Sequence, residues 1–184
     1  KQLYYLCREF KRMMNERGDE QASTLFFRES LLHEMYFSEK PRLAELTVRY
    51  EALRCDIMQQ YYMNKDYDNV IRIATSLDIH DDADPNASCL VYYYKAQAYV
   101  KLENYPMAKE AFFRELELRK KYLGWEDEDT ILACQNLGVL HSFCNEREEA
   151  LACFREAYGH EVKKNGEDSE MAQKLLQYIS VVES

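Results

Sequence analysis

A chain of 184 residues, 47% of them hydrophobic, is long enough for a single domain with a continuous core. Its formal charge of −9 disfavours nucleic acid, whose phosphates call for a basic stripe, and favours a basic or amphipathic partner. No run approaches the about 18 apolar residues of a membrane span, and no segment alternates cleanly enough to read as a strand. No secretory leader is visible, and the chain opens on Lys1 rather than Met, so it reads as a domain belonging to a longer protein; the expected location is cytoplasmic.

Taken in order, residues 1–15 predict a helix with Tyr4, Cys7, Phe10, Met13 and Met14 on one broad face, broken at Gly18. Residues 19–37 predict its partner, with Ala22, Leu25, Phe26, Leu32 and Met35 in the stripe. Pro41 suits the first position of a long helix over 42–62. A turn at 64–66 leads to a shorter helix over 68–77, then to the acidic loop 80–85, with Asn86 or Ser88 capping the next helix. Residues 94–124 predict two helices joined by a turn at 103–105. Ala96 and Tyr99 share a face on the first, and Ala108, Ala111, Phe112, Glu115 and Leu116 form a stripe on the second. The acidic run 125–129 suits the positive end of the following helix. A further helix pair runs to Gly166, and Asp168 or Ser169 caps a last helix to about Val182, either a cover for the open end or the first half of a fifth pair.

These segments repeat. A shift of 42 pairs Ala96 with Gly138, Ala108 with Ala150, Phe112 with Phe154 and Gly124 with Gly166. A shift of 38 pairs Val70 with Ala108, and the run Phe26-Phe27-Arg28-Glu29 matches Phe112-Phe113-Arg114-Glu115. Small residues at Ala96 and Ala108 let two helix backbones approach closely. Such a unit cannot bury its apolar faces alone and needs copies beside it.

The pattern of small Ala96 and Gly138, Leu137, Tyr99, Ala108, Ala150, Phe112, Phe154 and Ala157 resembles the tetratricopeptide repeat family. The 42-residue period, the run 116–124 and Gln135-Asn136-Leu137-Gly138 are most similar to kinesin-light-chain-like repeats. The resemblance implies an all-α, right-handed superhelical solenoid of antiparallel helix pairs: about four repeats at 1–37, 41–80, 86–123 and 127–165, plus a terminal helix at 168–182. First helices then line a concave groove that binds an extended or helical peptide. Tyr62, Tyr93, Gln97, Gln135, Asn136, Val139 and Lys174 are the residues expected there, and Asn136 matches the asparagine that in such repeats reaches a peptide backbone. The carboxylate clamp of chaperone-binding members would fall on Tyr93, Gln97, Asn136, Lys174 and Tyr178. Only Asn136 and Lys174 match, so the resemblance does not extend to that specificity.

Nothing in the residues argues for catalysis or a cofactor. Six cysteines without a Cys-x-x-Cys pair read as free thiols in a reducing compartment, not as a zinc site. The four histidines are scattered. The cluster Asp78, Asp81, Asp82 and Asp84 lacks the glycine and terminal glutamate of a calcium loop and reads as a solvated connection. The expected function is a non-catalytic protein- or peptide-binding scaffold, contacting neither nucleic acid nor membrane. The alternatives are a peptide-sensing half of a bacterial transcription regulator and a substrate-positioning scaffold attached to an enzyme domain.

Overall fold

The computed structural model describes residues 55–75 and 85–184, and every regular element among them is helical. Helix α1 covers residues 55–63, α2 Tyr67–Thr75, α3 Pro85–Lys101, α4 Tyr105–Tyr122, α5 Glu128–Phe143, α6 Arg147–Asn165 and α7 Glu170–Glu183. The helices expected over 1–15 and 19–37, the start of that over 42–62, and the acidic stretch 80–84 lie outside the described residues. The chain divides into two compact units, Lys1–Tyr94 and Lys95–Ser184, with the boundary inside α3.

Three connections share one geometry. In the turn 64–66, the amides of Asn64, Lys65 and Asp66 donate to the carbonyls of Gln60, Tyr62 and Tyr61. In the turn 102–104, Leu102, Glu103 and Asn104 donate to Ala98, Val100 and Tyr99, and in 144–146, Cys144, Asn145 and Glu146 donate to Leu140, Ser142 and His141. The middle residue is left-handed each time: Lys65 at φ 60°, Glu103 at 57° and Asn145 at 60°. That conformation costs a non-glycine residue about 1–2 kcal/mol, so its recurrence reflects a common packing demand on the helices that follow. The offsets between equivalent atoms are those read from the sequence, with Asp66, Asn104 and Glu146 each accepting from the backbone of Val70, Ala108 and Ala150. The expected 103–105 turn thus sits one residue earlier, because Asn104 caps α4 and its side chain accepts from the Met107 amide at 3.4 Å.

Two glycines end the other helices. The Gly124 amide donates to Arg119 and that of Gly166 to Val162, with φ values of 72° and 88° that favour a residue without a side chain. Acceptors then start the next helices. Asp127 Oδ1 takes the Thr130 amide at 3.1 Å, and Ser169 Oγ takes that of Ala172 at 3.1 Å. Ser169, not Asp168, is therefore the cap of α7. At α3 neither expected cap holds. Pro85 opens the helix, Asn86 is an exposed helical residue, and Ser88 is fully buried inside it with an unbonded hydroxyl.

In the second unit α4 packs on α5, α5 on α6 and α6 on α7. The stripe Ala108, Ala111, Phe112, Glu115 and Leu116 is buried, as are Ile131, Leu137, Leu140, Ala150, Phe154, Ala157, Ala172 and Leu175. Phe154 lies at the centre, and burying a side chain of that size contributes about 1.5–3 kcal/mol. Its ring stacks on Tyr178 of α7 at 5.1 Å. One charged pair sits inside this core: Arg119 Nε donates to Glu115 Oε1 at 2.9 Å, and Arg119 also reaches Asp129 Oδ2 at 3.3 Å. Outside it, Trp125 stacks on His160 with centroids 4.0 Å apart, and the Lys120 ammonium sits 4.8 Å above the indole.

Candidate functional site

Helical periodicity brings two sets of side chains to one cavity of about 350 Å³ in the second unit. Gln97, Val100 and Lys101 come from the last turns of α3, at spacings of three and four. Asn136, Val139, Leu140 and Phe143 come from a single face of α5. Tyr105 and Phe112 of α4 and Glu103 of the turn complete the lining. Phe112 and Leu140 are buried, whereas Val139 and Phe143 are 41% and 66% exposed, so the cavity has an apolar floor and an apolar rim open to solvent. The rings of Tyr105 and Phe143 meet at a tilt, centroids 5.1 Å apart, and hold one wall.

Two half-buried amides, Gln97 and Asn136, belong to the lining, and Tyr105 adds a phenol. Neither amide is engaged by another side chain among the described residues. An amide both donates and accepts, so two of them above an apolar floor suit a peptide group whose neighbouring side chain points inward. Lys101 and Glu103 contribute one charge of each sign.

Of the seven residues expected in a groove, the cavity gathers Gln97, Asn136 and Val139. Gln135 does not line it: one step along α5 from Asn136 turns the side chain into the core, where it is 4% exposed and its Oε1 is unbonded. Lys174 is an exposed residue of α7, its ammonium 5.8 Å from the Tyr178 ring, and is not part of the lining. Tyr62 and Tyr93 belong to the first unit and form an aromatic cluster with Tyr67 and Tyr94. Tyr62 lies 5.6 Å from Tyr67 and 5.8 Å from Tyr94, and Tyr93 lies 5.4 Å from Tyr94. Burial raises the hydroxyl pKa of Tyr62 and Tyr94, so these phenols stay neutral. Sequence reasoning missed Val100, Leu140 and Phe143, although their spacing of three, four and seven from Gln97 and Asn136 signalled them.

A shallower hollow lies beside Lys109, Phe113, Leu137, His141 and Glu146. Glu146 bonds Lys109 and, at 2.6 Å, His141 Nδ1. The hydrogen bond from Lys109, then that from His141, holds the Glu146 carboxyl below its usual range. This ion cluster ties the turn after α5 to α4. Among the described residues no group of three metal-ligating side chains converges, and no helix is long and apolar enough to cross a membrane. In comparisons with known proteins, no family model and no curated protein matches this chain.

Proposed function

We propose that this chain is a tetratricopeptide-like scaffold, a right-handed solenoid of antiparallel helix pairs that binds an extended peptide segment and carries out no chemistry of its own. The observation that carries the reading is the cavity that the amides of Gln97 and Asn136 share with an apolar lining of Val100, Phe112, Val139 and Leu140. The repeated turns at offsets of 38 and 42 residues support the solenoid. In this reading the amides bracket a peptide group without demanding a particular side chain, and an apolar residue of the ligand fills the cavity. The net charge of −9 favours basic flanking residues, in a cytoplasmic protein partner.

The test is capture on the immobilised chain followed by mapping of the bound segment. The mapped peptide is then titrated against Asn136→Ala and Val139→Asp. Weakened binding to both is expected. A mapped peptide that binds both variants as tightly as the parent sinks the groove reading.

A further inference from the structure

Cys134 of α5 packs against the backbone of Cys153 of α6. Cys134 is fully buried, and its thiol lies 3.3 Å from the Cys153 carbonyl oxygen and 3.8 Å from Glu156 Oε2. Cys153 is half-buried, and the Cys134 thiol rests against its backbone. The helices are unusually close here. One turn along α5, a Cβ built on Gly138 would lie 3.0 Å from Cys153 Cβ. A disulfide needs Cβ atoms about 3.5–4.5 Å apart, and the close packing of α5 on α6 beside Gly138 leaves little space for the pair to cross. All five described cysteines carry free thiols, so the pair is a dithiol.

We propose that Cys134 and Cys153 are an oxidative modification site, a dithiol that closes to a disulfide across α5 and α6 when a hydroperoxide oxidises it. The two thiols have distinct roles. Cys153 is the reachable one, and its ionisation is eased by the hydrogen bond it accepts from Cys134, with further help from Lys120 against burial and Glu156. Cys134 is held protonated by that same hydrogen bond and by burial. With hydrogen peroxide, the Cys153 thiolate attacks one oxygen and breaks the O–O bond, leaving a sulfenic acid. The departing hydroxide takes a proton and leaves as water. The Cys134 sulfur then displaces the sulfenic oxygen as a second water and gives up its proton. Two thiols lose two electrons, and one peroxide becomes two waters.

Mass spectrometry tests this on the full chain. Cleavage after Lys121, Arg147 and Arg155 leaves Cys134 on residues 122–147, together with Cys144, and Cys153 on 148–155. A Cys144→Ser background therefore removes the ambiguity. After hydrogen peroxide treatment and alkylation of remaining thiols, the two peptides are expected joined, lighter by two hydrogens, and separated again by dithiothreitol. In Cys134→Ala, dimedone is expected to label Cys153. In Cys153→Ser, Cys134 is expected to stay a free thiol under the same exposure. Separate peptides with Cys153 oxidised to the sulfinic acid, or dimedone label on Cys134, overturn the proposal. The crosslink in the Cys144→Ser chain decides the matter even if a variant at either buried position fails to fold.

Discussion

Gly138 and Phe154 meet so closely that no side chain fits between them. A Cβ on Gly138 would lie 2.8 Å from Phe154 Cε1 and 2.9 Å from its Cδ1, and Phe154 is 1% exposed with nowhere to move. Gly138→Ala is therefore expected to cost about 1–3 kcal/mol by overpacking. Ala150→Leu, at a fully buried position on the same helix as Phe154, should cost a similar amount. Gly159 is the internal control. It lies within α6, is exposed, and has no atom within 4 Å of the point a Cβ would occupy. Gly159→Ala should therefore stabilise by about 1 kcal/mol through helix propensity. Denaturant midpoints of the three variants check these opposite signs.

Burial pushes the Glu115 carboxyl from the usual 4.5 up to about 7, against the opposing pull of Arg119. Glu115 is 1% exposed and its Oε2 is unbonded. A folded-state pKa above the unfolded one means the native chain holds the proton more tightly. Its contribution is then fully present below pH 4.5 and is lost as pH rises through 7, a change of about 3 kcal/mol at most. Glu115→Gln keeps the shape and removes the titration, while Arg119 retains Asp129. The variant should gain on the parent as pH rises from 4.5 to beyond 7. Stability curves that stay parallel across that window count against this.

That pair shows where reading the sequence stops. Glu115 falls in the stripe that the spacing predicts, but Arg119 stands four residues on, the spacing of an ordinary surface ion pair, and only the packing of α4 and α5 puts it inside as well. Ala108, Ala150 and Gly138 were legible because small residues at a fixed period have one physical use, close helix approach. The turns were legible for the same reason, as their offsets carry the helix anchors with them. Gln135 and Asn136 were not separable. Both are amides on one helix, and a difference of one residue decides core or cavity. The start of α3 differs from the expectation because Asn86 and Ser88 are both cap-type residues by identity, while the burial of Ser88 is set by its neighbours.

Asn136→Ala should weaken peptide binding by about 1–3 kcal/mol, the cost of leaving a buried backbone group of the ligand unpaired. The melting temperature should change little, because the Asn136 side chain is not engaged by another side chain among the described residues. Calorimetric titration with the mapped peptide, beside a thermal melt, separates the outcomes. A large fall in melting temperature with unchanged affinity would make Asn136 a tie between helices.

Ser169 serves twice. Its hydroxyl accepts from Ala172 at 3.1 Å and donates to Glu161 Oε1 at 2.7 Å, a carboxylate that also takes the Asn165 amide at 3.0 Å. Ser169→Ala removes a helix cap and one partner of the buried Glu161, so it should cost about 1–2 kcal/mol. Ser169→Asp keeps the cap acceptor but sets a second carboxylate against Glu161, so it should recover only part of the loss. Urea titration of the two variants tests the order.

The stack of Trp125 on His160 has an optical consequence. The chain contains a single tryptophan, so its emission comes from one place, the junction between the segment after α4 and the far end of α6. An indole held 4.0 Å from an imidazole and under an ammonium is in a different electronic setting from one in water. Emission therefore follows the parting of that one junction, while far-ultraviolet circular dichroism follows helix everywhere. Superimposable denaturation curves from the two signals mean the junction opens with the rest, and an earlier emission change means the segment peels away first. The protein thus carries its own local dye, with no label needed to tell fraying from global unfolding.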